Sequence, residues 1–190
     1  MSRLTHPFEH WPRRHRRLVL TVGGVLAPLP LVLGKVFPVL HEDKPGGKSI
    51  IDFASAGSVS EANAILAKWR SEGVIDAAKA IQIFDLVYPL IYSSALAGGC
   101  VASAGSWRRS GRPQRSQIGI AMAWVAFGGA AFDYVENVGL MIALWDEPTS
   151  PFPQVSAVAA AFKFTLSFGA LLYALSGPLA WRVRRPTARA

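Results

Sequence analysis

Two short sequences place ionisable side chains inside segments that are otherwise apolar. Asp85 lies within residues 84–89, and Asp133 and Glu136 lie within residues 132–137. Charge is costly in hydrocarbon, so an intramembrane carboxylate usually marks a functional site or a pairing that holds helices together. Carboxylates can bind a cation, exchange a proton or pair with a base. These residue types predict a site, but they name no reaction and identify no catalytic residue.

Other polar residues follow these acids at helical spacing. Tyr88 and Tyr92 follow Asp85 at i+3 and i+7, which places them on one helix face. Lys163, in a later apolar segment, is predicted to lie at a depth close to that of Asp133. We therefore predict one cluster that is either a ligand-binding site or a buried ion-pair group. Its members are Asp85, Tyr88, Tyr92, Asp133, Glu136, Asn137 and Lys163.

The elements that must carry this cluster follow from composition. The chain has 190 residues, 51% of them hydrophobic, yet its net charge is +8, so charged and apolar residues must be segregated. Four apolar segments are long enough to cross a bilayer: 18–40, 80–104, 118–145 and 155–181. The predicted fold is all-α, an integral membrane four-helix bundle. Pro89 predicts a kink in the second span, because proline cannot donate a hydrogen bond to the carbonyl four residues back.

The distribution of basic residues predicts orientation. Thirteen arginines lie before residue 18, between 108 and 115, or after 181, whereas five basic residues lie among the acids on the other side. The positive-inside rule then puts residues 1–17 and 182–190 in the cytoplasm, flanking one transmembrane domain at 18–181. We expect a multi-pass protein of the bacterial inner membrane. Its basic ends would contact anionic lipid, and no nucleic-acid partner is predicted.

The predicted extracytoplasmic segment, residues 41–79, carries its own helix signal. Residues 44–57 are rich in glycine and serine and are predicted to form a loop. Ser58 and Glu61 then match a capping box, in which Ser58 accepts from the Glu61 amide and Glu61 reaches back. Gly73 is a plausible terminator. We expect an amphipathic helix on the outer membrane face, with a lid over the bundle as the alternative.

The histidines and the single cysteine give weak signals. His6 and His10 are spaced i, i+4, but a third ligand is lacking, so we expect them to be solvated and predict no metal. Cys100 lies among small residues and is expected to pack between helices. The sequence also lacks phosphate-binding, zinc-protease and serine-hydrolase motifs. No cofactor is predicted.

The layout resembles uncharacterised bacterial four-span inner-membrane proteins. The resemblance covers roughly residues 18–180. It rests on four spans, Asp-x-x-Tyr-Pro beginning at Asp85, and Phe-Asp-x-x-Glu-Asn beginning at Phe132. It implies a topology and a site position but no activity. A more distant, architectural analogy is to the emopamil-binding family, compact multi-span proteins whose acidic groups face a sterol-sized cavity. The chain lacks that family's histidine and paired-acid pattern.

Two functional hypotheses remain open from the sequence. The protein either binds a lipid-like or small polar ligand at the charged cluster, or serves as an accessory subunit of a larger membrane protein complex. Small residues at 97–99 and 128–131 offer a test, because they permit close helix approach. If they face outward, a protein partner is favoured. If they are buried and a cavity lies beside Asp133, a ligand is favoured.

Overall fold

The computed structural model describes residues 4–26 and 48–182, and every regular element in these ranges is helical, which confirms the all-α prediction. A short 3-10 helix at Pro7–Glu9 precedes the α-helices. The α-helices are α1 (Arg13–Leu26), α2 (Ile50–Ala54), α3 (Val59–Ser71), α4 (Ile75–Phe84), α5 (Tyr88–Arg109), α6 (Pro113–Trp145), α7 (Phe152–Leu175) and α8 (Leu179–Arg182).

The described residues contain fewer candidate membrane spans than the four predicted. Helices α6 and α7 are each long and apolar enough to cross a bilayer. Helices α4 and α5 qualify together as a third span that is bent by 43°. Of the predicted first span, 18–40, α1 covers the beginning, and the remainder lies outside the described residues. The described part of the chain therefore contains two candidate spans, or three if α4 and α5 form one span.

Helix α6 is the centre of the bundle. It packs along α5 on one side and α7 on the other, while α1 lies against α5. Small residues permit these approaches: a Cβ added to Gly129 would lie 2.7 Å from the Ser167 hydroxyl, and one on Gly99 would lie 3.0 Å from the Ala174 Cβ. Cys100 is buried, as predicted, and its thiol contacts the carbonyl of Ala170 at 3.2 Å. The small-residue segments therefore serve contacts within the chain.

Helix α3 begins and ends where the sequence predicts. The Ser58 hydroxyl accepts from the Glu61 amide at 3.2 Å, but the Glu61 carboxylate accepts from the amide of Gly57 rather than from that of Ser58. At the other end Gly73 has a φ of +69°, and the Val74 amide donates to the Trp69 carbonyl at 3.0 Å. This is the Schellman arrangement, in which glycine's freedom at positive φ lets the helix end sharply.

The expectation that the apolar face of α3 rests on the membrane is wrong. Leu66 and Trp69 are at most 1% exposed and belong to a core that includes Phe53 of α2 and Leu140 and Leu144 of α6. The face is thus covered by protein, and α3 lies over one end of the bundle. The predicted loop at 44–57 also needs correction, because it contains α2, whose first turn is capped by Ser49.

Both described ends of the chain meet at the other end of the bundle. The Glu9 carboxylate pairs with Arg108 at the end of α5, with 2.7 Å between the charged atoms. The Ser110 hydroxyl donates to the carbonyl of Ala180 in α8 at 2.8 Å. The first and last described segments therefore lie beside the arginine-rich turn between α5 and α6.

Candidate functional site

The break between α4 and α5 directs polar groups toward α6. Residues 85–87 separate the two helices, and Pro89 is the second residue of α5. The predicted kink thus takes the form of a break four residues ahead of the proline. Pro89 has no N–H to donate to the Asp85 carbonyl. This carbonyl instead accepts a hydrogen bond from the Asn137 side-chain amide at 3.0 Å. Tyr134 donates its hydroxyl to the Leu86 carbonyl at 2.9 Å. Side chains of α6 replace helix hydrogen bonds at the break.

A second amide joins these hydrogen bonds, which together we call the brace. The Gln82 side chain donates to the Asn137 carbonyl oxygen at 2.8 Å, and both residues are almost fully buried. Buried amides are costly unless they are hydrogen-bonded, and Asn137 here bonds to Gln82 before the break and to Asp85 within it. Neither Gln82 nor Tyr134 stands out in the sequence. Gln82 precedes Asp85 by three residues, a spacing that could have suggested a shared face.

Lys163 joins two acids across the interface of α6 and α7. Its ammonium lies 3.2 Å from Asp133 and 2.6 Å from Glu136, and the side chains are 13%, 3% and 3% exposed respectively. The acids are three residues apart on α6, so one helix face presents both. The Ser156 hydroxyl of α7 donates to the Glu136 carbonyl at 3.3 Å, beside a close approach to Gly139. We call Asp133, Glu136 and Lys163 the ion triad.

A cavity of about 610 Å³ lies next to the ion triad. Helices α1, α5 and α7 supply most of its wall. Its polar end is formed by side chains from four segments of the chain, namely Asp85, Tyr88, Tyr92, Asp133, Lys163 and Ser167. Its apolar end is formed by residues that include Leu20, Leu96, Phe168, Leu171 and Leu175. A volume of this size is typical of small-molecule sites.

Two buried hydroxyls, those of Tyr92 and Ser167, lie in the cavity wall. The Tyr92 hydroxyl lies close to the Asp133 carboxylate and to the Ser167 hydroxyl. The hydroxyls therefore extend the polar end of the cavity beyond the charged groups.

The predicted site residues divide into two layers. Asp85, Tyr88, Tyr92, Asp133 and Lys163 line the cavity. The other two predicted residues, Glu136 and Asn137, lie behind this wall, where they bind Lys163 and the α4–α5 break. The structure therefore brings all seven residues to one region of α4–α5, α6 and α7.

His6 lies elsewhere, and the expectation that it is solvated is wrong. It is 2% exposed, packs its ring against Trp124 and Phe127, and accepts from the Phe8 amide through Nδ1. Burial lowers the pKa of His6, an effect that the nearby Glu9 carboxylate offsets in part. Within the described ranges no three metal-binding side chains converge. His6 instead anchors the N-terminal segment to α6.

Comparison of the chain with protein-family models, with curated proteins and with solved structures finds no match. The resemblance to four-span bacterial proteins therefore stays a prediction. What the fold and the site define is a class: an all-helical protein with candidate membrane-spanning helices, in which a mostly apolar cavity ends at a group of buried charges.

Proposed function

We propose that this protein is an integral membrane protein that binds a lipid-like ligand in the cavity, with the ligand's polar head at the ion triad. The observation that carries the proposal is the cavity itself. Its wall is apolar over most of its length and polar at one end, which matches the chemistry of an amphiphile. The proposal assigns no reaction.

The route of entry follows from the exposed part of the wall. Phe168 and Leu175 line the cavity, yet they are 63% and 64% exposed. This side of the cavity faces the surroundings of the bundle, which in a membrane are lipid chains. A ligand could thus enter sideways without crossing a polar barrier. From Lys163 to Leu175 the wall of α7 is about 18 Å long at about 1.5 Å per residue, long enough for an acyl or isoprenoid tail.

Charge and size also argue against a purely structural role for the cluster. One acid would neutralise Lys163, and polar pairs between membrane helices need contribute only about 1 kcal/mol to hold register. The chain carries two further carboxyl groups and two buried hydroxyls at the same place. The small-residue segments, which could have received a partner helix, are occupied by α1 and α7.

We extend the proposal to topology. The arginine-rich turn and both described chain ends lie at one end of the bundle, whereas α2 and α3 cover the other. The positive-inside rule assigns the arginine-rich end to the cytoplasm and the α3 end to the outside of a bacterial inner membrane. The ligand head would then lie in the outer half of the bilayer.

Native mass spectrometry of protein extracted gently from its own membrane tests the function. We expect the wild type to carry a discrete bound mass. Leu171→Trp should lose it, because Leu171 lines the cavity and the larger ring fills the space. Leu172→Trp is the matched control, since Leu172 is 60% exposed and is not part of the cavity wall.

Two outcomes would contradict the proposal. A wild type without bound small molecules, recovered only with other polypeptides, would favour the accessory-subunit hypothesis. Equal occupancy in both tryptophan variants would show that any bound lipid lies outside the cavity.

A further inference from the structure

The polar end of the cavity holds more acids than bases. Asp133 and Glu136 share the single ammonium of Lys163, and Asp85 forms no ion pair within the described residues. Three carboxyl groups thus lie near one cation in a setting where solvent screens little. A buried carboxyl without a partner takes up a proton, and a cation bound in the cavity would let it stay ionised.

The position of Lys163 leaves the less closely paired acids on the cavity side. Its ammonium is closer to Glu136, at 2.6 Å, than to Asp133, at 3.2 Å, and Glu136 lies behind the wall. The carboxylates that the cavity presents are those of Asp85 and Asp133. A head group in the cavity meets two acids and a lysine that is already paired.

Aromatic rings add a second preference for a cation. Tyr88 and Tyr92 line the polar end with their ring centroids 5.4 Å apart. Phe164, also in the wall, already lies under Lys163, with the ammonium 4.8 Å from the ring centroid. Aromatic faces attract cations, and they attract quaternary ammonium groups without needing hydrogen-bond donors. Acids and aromatic rings together form a typical ammonium environment.

We propose, on the basis of the function proposed above, that the ligand is an amphiphile with an ammonium head. The head lies between Asp85, Asp133 and the two tyrosines, and the tail follows α7 toward Leu175. The Tyr92 and Ser167 hydroxyl oxygens, which lie at the same end of the cavity, accept hydrogen bonds from a primary or secondary ammonium. A carboxylate or phosphate head is disfavoured, because it would meet two acids and a lysine that already pairs with Asp133 and Glu136.

The test compares three single-chain amphiphiles that share one tail: dodecyltrimethylammonium, dodecanol and dodecanoate. Each is titrated against the purified full-length protein in nanodiscs, and Kd is measured by displacement of a fluorescent lipid. We expect the Kd of the ammonium compound to be at least about tenfold lower than that of the alcohol. Dodecanoate should bind most weakly.

Two variants locate the effect. Asp85→Asn keeps the shape of the side chain and removes its charge, so it should reduce the preference for ammonium over alcohol by about tenfold. Asp76→Asn, an exposed acid on α4, is the control and should keep the wild-type preference. The ranking in the wild type decides the proposal even if Asp85→Asn does not fold.

The outcomes separate the inference from the function beneath it. Equal binding of the ammonium compound and the alcohol, both lost in Leu171→Trp, would overturn the ammonium proposal and leave a lipid-binding cavity. Tightest binding of dodecanoate would overturn it in the same way. Binding of none of the three would overturn both.

Discussion

At the residue scale, Lys163 is the member of the ion triad on which both other members depend. The lysine is the shared partner of two acids that are each 3% exposed. Its loss leaves two carboxylates buried together, whereas the loss of either acid leaves Lys163 with the other. The three members therefore differ in how much each contributes to stability.

We expect Lys163→Met to lower the free energy of unfolding by about 3–5 kcal/mol, the cost of leaving a buried charge without its partner. Asp133→Asn should cost less than half as much, because Glu136 remains 2.6 Å from the lysine. Unfolding in mild detergent, followed by circular dichroism, measures both.

Lys79→Met is the control for this comparison. Its ammonium lies over the Trp145 ring at 5.5 Å, outside the triad, and its replacement should cost at most about 1 kcal/mol. Adding Glu136→Gln to Lys163→Met should restore part of the loss. A double variant no more stable than Lys163→Met alone would show that the triad is not an electrostatic unit.

At the same scale, the sequence predicts residue types better than it predicts partners. Asp133, Glu136 and Lys163 stand out because charge is rare in apolar segments, and helix geometry alone places the two acids on one face. Gln82 and Tyr134 do not stand out, since amides and tyrosines are tolerated at many depths. Their roles depend on a break in a neighbouring helix, which spacing within one segment does not reveal.

At the scale of elements, the break between α4 and α5 is stabilised by α6. Asn137 bonds to Gln82 before the break and to the Asp85 carbonyl within it, and Tyr134 bonds to the Leu86 carbonyl. Since Asp85 is the first residue of the break, this brace also fixes where its carboxylate enters the cavity.

Asn137→Leu should therefore cost about 2–6 kcal/mol, because it leaves two polar groups at the break unsatisfied at about 1–3 kcal/mol each. Tyr134→Phe removes one hydrogen bond and should cost about 1 kcal/mol. Hydrogen exchange at residues 85–87 should rise in Asn137→Leu more than in Tyr134→Phe. Unchanged exchange in Asn137→Leu would mean that α6 does not hold the break.

The N-terminal segment is a second element with a testable attachment. It is fixed by the buried His6 ring, by the Glu9–Arg108 pair and by the Trp124 indole, which donates to the Thr5 carbonyl at 3.0 Å. Burial lowers the pKa of His6 below its ordinary value of 6.5, so the docked histidine resists protonation more than the undocked one. Above pH 6.5 both forms are mostly neutral, and docking keeps its full stability.

As the pH falls through 6.5, the undocked segment binds a proton that the docked histidine resists, so docking weakens. A nitroxide on Leu4→Cys should become more mobile when the pH is lowered from 7.5 to 5. These two values lie about one unit or more on either side of an ordinary histidine pKa. His6→Gln should abolish this pH dependence, and His10→Gln, an exposed neighbour, should keep it. A transition that persists in His6→Gln would assign the effect to another group.

At the scale of the whole molecule, the apolar segments predict the helices but not their ends. The predicted spans at 118–145 and 155–181 correspond to α6 and to α7 with α8, and the start of 80–104 falls inside α4. Hydropathy cannot distinguish an apolar face that meets lipid from one that meets protein. For this reason α3 was expected on the membrane, whereas Leu66 and Trp69 in fact pack on the end of α6.

The arrangement of the whole molecule in a bilayer gives the last prediction. The arginine-rich turn between α5 and α6 is expected in the cytoplasm, with α3 and the turn between α6 and α7 outside. Three exposed positions report on these places: Asn63 in α3, Glu147 in the turn between α6 and α7, and Gln114 at the start of α6 beside the arginine-rich turn. Native Cys100 is buried and should not be labelled.

In spheroplasts, a membrane-impermeant maleimide should label Asn63→Cys and Glu147→Cys. Gln114→Cys should be labelled only after lysis, because the positive-inside rule assigns the arginine-rich end of the bundle to the cytoplasm. Labelling of Gln114→Cys alone would invert the orientation, and labelling of all three in intact spheroplasts would mean that α6 does not cross the membrane.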